Sequence, residues 1–149
     1  MKSIPMGRTF GSLLFVCLLT SSVFAKAWNE MVPGSTKKAD VIARFGAPSK
    51  DVNRGGELSK GIIYQGKQAI DGTKQAQFFF DDSDVLLQIH VFPKATVKRE
   101  QIIQTHGNGF EEKLTDSFKT YLQYRKDGLV VYFQEGTDAV ASLIYQKPQ

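Results

Sequence analysis

The chain has 149 residues, with 19 basic and 15 acidic side chains, two histidines and one cysteine. A single cysteine excludes an intramolecular disulfide framework, and the scattered basic residues form no stripe of the kind that tracks nucleic acid. One domain with a modest hydrophobic core is expected at this length.

Residues 1–25 carry the pattern of a secretory signal. Lys2 and Arg8 form a positive start, Phe10 to Phe24 is mostly apolar, and Val23-Phe24-Ala25 meets the small-residue rule for cleavage after Ala25. The apolar run is shorter than the roughly 20 residues of a spanning helix. The alternatives are an uncleaved anchor and a lipoprotein modified at Cys17. Val16 does not fit the position before a lipidated cysteine, and Cys17 lies inside the apolar run. Cleavage leaves residues 26–149, without cysteine and, once Lys2 and Arg8 are gone, close to neutral. The reading is a periplasmic or secreted protein with only indirect membrane association and no nucleic-acid role. An exported domain without disulfides draws its stability from its core.

The next element is a helix in VPGSTKKADVIARFGAP, residues 32–48. Ser35 or Thr36 is expected to cap it, and Ala39, Val41, Ile42 and Phe45 fall near one face. Gly46 suits the left-handed stop, and Pro48 blocks continuation. So short a helix is marginal alone, and its apolar side must pack on something. A polar loop, 49–60, follows. Strand patterns come next at 61–66, 74–80 and 85–92, the last two joined by an Asp81-Asp82-Ser83-Asp84 turn.

The layout then returns. Residues 96–109, TVKREQIIQTHGNG, place Thr96 on Ser35, Lys98 on Lys37, Ile102 on Val41 and Gly107 on Gly46. Strand patterns follow at 119–125, 129–134 and 139–146. The expected fold class is therefore α+β: two tandem α-β-β-β units, about 33–94 and 95–149, with both helices packed on one face of antiparallel sheet.

Alternation divides the strands into two faces. Ala76, Phe78, Phe80, Val85, Leu87, Ile89, Val91, Leu122, Tyr124, Leu129, Val131 and Phe133 are expected inside. Leu86 is expected outside with Gln88. The last strand is apolar on both sides and is left unassigned.

The pattern Gly34-x-Thr36-x-x-x-x-Val41-x-x-x-x-Gly46-x-Pro48, followed by a β-meander, resembles the SmpA/OmlA (BamE-like) family of small bacterial envelope proteins. The resemblance implies a helix-rich start on a three-stranded antiparallel sheet and a link to outer-membrane assembly or maintenance. In duplicate, the unit is similar to the secreted β-lactamase inhibitor proteins, which implies an inhibitor of an extracellular enzyme as an alternative function.

No catalytic, cofactor-binding or metal-ligating constellation is readable. His90 lies beside Gln88 on the polar side of a strand. His106 ends the second helix, where it is expected to interact with the last carbonyls. Neither has the context of a catalytic motif. Asp81, Asp82 and Asp84 lack the frame of a calcium loop. Gly107-Asn108-Gly109 follows a helix and cannot offer an N-terminus to phosphate.

The outward face holds the most informative set: Phe79, His90, Phe92, Tyr121, Arg125 and Tyr132, with Gln77, Gln88 and Gln123 among them. Aromatics mixed with amides and an arginine are the composition enriched at recognition surfaces. A further loop, or residues 26–33 with Trp28, is the candidate to cover part of this face. The expected function is a non-enzymatic, exported protein-binding module whose partner is an envelope or secreted protein. A small ligand-binding protein or hydrolase is the remaining alternative, and it requires a deep pocket with convergent polar groups.

Overall fold

A computed structural model describes residues 25–149; the signal-sequence expectation for residues 1–24 lies outside them. Helix α1 (Lys38–Phe45) leads into β1 (Lys50–Asn53), β2 (Lys60–Gln65), β3 (Thr73–Phe80) and β4 (Leu86–Pro93). Helix α2 (Arg99–His106) leads into β5 (Glu111–Leu114), β6 (Thr120–Tyr124), β7 (Leu129–Phe133) and β8 (Val140–Gln146). All eight strands form one antiparallel sheet in the order β1-β2-β3-β4-β8-β7-β6-β5.

This corrects the expected α+β class of two tandem α-β-β-β units. The fold is dominated by a single sheet, with two helices of eight residues each. Two physical reasons account for the difference. Lys50–Asn53 (KDVN) and Glu111–Leu114 (EEKL) have no apolar alternation, yet β2 and β6 recruit them through backbone pairing. The last strands of the two halves, β4 and β8, pair with each other from Gln88↔Gln146 to Val91↔Leu143. That pairing removes an edge from each half and makes the sheet continuous.

The two faces differ sharply. Ile62, Phe78, Ile89, Tyr145, Leu129 and Tyr124 lie on one line across six strands, beside Tyr64, Ala76, Val91, Leu143, Val131 and Leu122. All twelve are buried, and the helices close over them with Val41 and Ile102. Each large apolar side chain removed from water this way contributes about 1.5–3 kcal/mol. Trp28 packs on this same side, against Phe45 and Phe78 at 6.1 and 6.0 Å between ring centroids. The N-terminal segment therefore covers the helix side of the sheet and not the outward face, for which it was one of two candidate covers.

Leu86 is a second correction. A bulge shifts the β3–β4 register between Phe79↔Gln88 and Phe80↔Leu86. The extra residue turns Leu86 into the core beside Phe80 and leaves Leu87 half-buried.

The helix ends use related devices. Lys37 and Lys98, not Ser35 or Thr36, occupy the N-cap positions. Asp40 Oδ2 accepts from the Lys37 amide at 2.9 Å, and Gln101 Oε1 accepts from the Lys98 amide at 2.8 Å. Thr36 instead accepts from the Val32 amide and holds the preceding turn. Lys37 bridges to Val85 and Lys98 to Ala139, so each helix start is tied to the sheet.

Candidate interaction face

The side of the sheet away from the helices carries a row that crosses all eight strands: Lys50, Ile63, Gln77, His90, Ile144, Val130, Gln123 and Glu111. Strand alternation forces this composition outward once the apolar partners face the helices. The charged ends sit on β1 and β5, the two edge strands, and both edges are short. Charge and brevity disfavour addition of a foreign strand there.

Amides order the middle of the face. Gln75 Nε2 donates to Gln65 Oε1, and Gln77 Nε2 donates to Gln75 Oε1 at 2.7 Å. Gln88 bonds His90 Nε2 at 2.8 Å and donates to Gln146 Oε1 at 3.0 Å. Gln123 accepts from Lys113 and donates to Gln149 at 3.0 Å. Each amide has two donor hydrogens and two acceptor lone pairs. These bonds fix each orientation, and the half-buried Gln75, Gln77, Gln88 and Gln146 keep hydrogen-bonding capacity toward solvent, whereas Gln123 is buried.

The expected site residues separate into two groups. Tyr121 and Tyr132 are cross-strand partners whose rings stack at 5.2 Å and 28°. Burial, then the neighbouring Tyr121, raises the Tyr132 hydroxyl pKa. Arg125 lies at the other end of β6, in the turn that follows it. Its guanidinium is held by Glu111 at 2.9 Å, which turns it toward the edge of the sheet.

Phe79 and His90 form the other group, with rings 5.0 Å apart and edge-on. Phe79 does not offer itself to a partner: it is only 1% exposed, with the Arg54 guanidinium 5.3 Å from its ring centroid. The 54–59 loop thus folds over one corner of the face. Burial, then the Arg54 charge, pushes the His90 pKa down. Among the described residues the side-chain hydrogen-bond partner of His90 is the Gln88 amide, which cannot relay a proton.

Phe92 joins the two groups. Val91 pairs with Leu143, so the next residues along, Phe92 and Ser142, are neighbours, and Ser142 pairs with Tyr132. The sequence Phe92–Ser142–Tyr132–Tyr121 across four strands places two aromatic walls on either side of a small polar floor, about 10 Å apart at normal strand spacing. Ser142 and Ile144 were not among the expected site residues. The polar position in an otherwise apolar β8 is the one signal that pointed to Ser142. Of its aromatic neighbours, Tyr132 comes from the adjacent strand β7 and Phe92 from β4, 50 positions earlier in the chain.

His106 lies elsewhere, on the helix side against Tyr124 at 5.8 Å. Its Nδ1 is buried without a partner, and burial, then the Lys26 charge, lowers its pKa, with Asp127 opposing. This corrects the expectation of a histidine bonded to the last helix carbonyls. Tyr124, not His106, donates to the Gly107 carbonyl, at 2.9 Å. Among the described residues no group of three or more His, Cys, Asp and Glu stands close enough to hold a metal ion.

No family model and no curated protein matches the chain. A solved structure, a DUF4309 family protein (YjgB) from Bacillus subtilis, is similar at 15% identity and a TM-score of 0.56, over 78% of this chain and 82% of that one. At that identity the likeness speaks for the fold alone. It overturns the resemblance to SmpA/OmlA and to the β-lactamase inhibitor proteins. The Gly34-to-Pro48 pattern is the punctuation of one short helix, and the sheet it rests on has eight strands rather than three. The link to outer-membrane assembly rested on that resemblance and loses its basis. The architecture, one broad antiparallel sheet with few helices, is similar to that of the DUF4309 protein.

Proposed function

We propose that this protein is a non-enzymatic, exported binding module that holds another protein of the cell envelope on the open face of its sheet. The observation that carries this reading is the set of half-buried aromatic and amide side chains on that face, with Tyr121 stacked on Tyr132 and Phe92 across Ser142. Rigid aromatics flanked by pre-oriented amides lose little conformational entropy on binding. Short, charged edge strands favour contact through the face over strand addition. Export is supported by the signal pattern of residues 1–25, and the non-enzymatic reading by two histidines without an acid–base relay.

The test is capture of envelope proteins by in vivo photo-crosslinking from position 144, in the wild-type background and with Tyr132→Ala plus Phe92→Ala. The expected result is one dominant adduct that falls at least about tenfold in the double variant, with thermal unfolding little changed. An undiminished adduct would place the contact elsewhere. Phe79→Ala is unsuitable, because that ring is buried and its loss would report on folding.

A further inference from the structure

Two hairpins of this sheet share one turn geometry and differ at its left-handed position, Asp84 in one and Phe118 in the other. In the β3–β4 turn the Asp81 amide donates to Val85, the Asp84 amide donates to Asp81, and Asp84 has φ +59°. In the β5–β6 turn the Thr115 amide donates to Lys119, the Phe118 amide donates to Thr115, and Phe118 has φ +58°. Side-chain oxygens of Asp81 and Thr115 accept from the Val85 and Lys119 amides in the same way. Left-handed backbone suits Gly, Asn and Asp, and a bulky side chain there is an outlier. Phe118 is also 84% exposed, and Leu114 at the end of the same strand is 62% exposed. Phe118 therefore disfavours the turn and gains no burial within its own chain.

The surface beside it differs in the same sense. At the start of each helix a basic residue pairs with the edge strand, Lys38 with Asp51 and Arg99 with Glu112. In the first half the cleft below is about 320 Å³ and the aromatic at its base, Phe80, is fully buried. In the second half it opens to about 680 Å³ between the tips of the β5–β6 and β7–β8 hairpins, over a half-buried Phe133, with Phe118 on its wall. Glu112, Thr120 and Phe133 place this cleft on the helix side, away from the aromatic–amide face.

An exposed aromatic knob and an open aromatic-floored hole thus share one patch. That is the arrangement an isologous two-fold contact requires, because each copy presents both parts at once. The rim carries both signs side by side, Lys119 with Glu135 at 3.3 Å and Arg99 with Glu112, so a second copy meets no rim of a single repelling sign. We propose that the β5–β6 hairpin is a self-association surface, in which Phe118 of each copy enters the cleft over Phe133 of a second copy. The interaction goes beyond the face proposed above and leaves that face free.

Sedimentation equilibrium of the purified protein, from micromolar to about 1 mM, tests this. The expected result is a monomer–dimer equilibrium that Phe118→Asn weakens at least about tenfold, while Phe118→Trp preserves it. Asn suits the left-handed turn, so the melting temperature should hold or rise, which separates a lost contact from a damaged fold. A wild-type protein that stays monomeric to the highest concentration would overturn the proposal. So would a dimer indifferent to Phe118→Asn. A monomeric protein whose Phe118 is needed only to capture a different protein would reassign the hairpin and overturn self-association.

Discussion

The hydroxyl of Tyr64 donates to the carbonyl oxygen of Gly46 at 2.8 Å, tying the end of α1 to β2. Tyr124 and Gly107 repeat the bond between α2 and β6 at 2.9 Å. A short helix has carbonyls without intrahelical partners at its end, and here a core tyrosine satisfies one. Tyr64→Phe and Tyr124→Phe should each lower stability by about 1 kcal/mol, with additive effects if the two sites are independent. Urea unfolding of the single and double variants measures this. Unchanged midpoints would mean that water replaces the hydroxyl at no cost.

Phe78 is fully buried and meets Trp28, Phe45 and Tyr64, each within 6.0 Å between ring centroids. Phe78→Ala should cost about 3–5 kcal/mol, since a ring lost there leaves a cavity bounded by rigid aromatics. Trp28 is the only tryptophan in the chain, so its emission reports the same site. A loss under 1 kcal/mol, well below the usual range for a buried Phe→Ala change, would show that Trp28 and Phe45 collapse into the space.

Gly46 and Gly128 both have positive φ, +81° and +66°. A Cβ at Gly46 meets open space, whereas one at Gly128 would run into the Gln146 carbonyl. Gly46→Ala should therefore cost about 1 kcal/mol, from backbone strain alone. Gly128→Ala should cost more than that, because the β7–β8 pairing must also shift. Equal losses in chemical denaturation would refute the steric part of this distinction.

Burial holds the pKa of both His90 and His106 below the ordinary 6.5, with Arg54 adding to the effect at His90 and Lys26 at His106. The unfolded chain then binds more protons than the folded one just below pH 6.5, so stability rises with pH in that window. The contribution is complete above 6.5 and is lost as the pH falls from there through the folded-state value. His90→Gln should flatten part of this slope. Urea midpoints at pH 8, 7, 6 and 5 decide it, and an identical slope in the variant would remove His90 from the account.

Much of the local structure was legible in the residues. Period-two alternation marked six strands, and it put Phe78, Leu122 and Val131 inside and Gln77, Tyr121 and Tyr132 outside. Gly46 and Gly107 marked the helix ends. The failures share a cause. KDVN and EEKL have no apolar pattern of their own, and they become strands only because β2 and β6 offer a partner. Leu86 was misplaced because a bulge, not the local pattern, sets its phase. Phe79 was placed on the correct face, yet the Arg54 loop covers it.

What the residues determined alone is therefore the set of short elements and which side of each is apolar, since 3.6- and 2-residue periods are written in adjacent positions. Tertiary structure decided the rest. The Gln88–Gln146 bond joins residues 58 positions apart, and no local pattern specifies that β4 will pair with β8. That one pairing turns two partial sheets into one and brings Phe92 beside Ser142, across from Tyr132. The fold class and the candidate face both follow from it, because an unpaired strand edge takes the partner that chain geometry delivers.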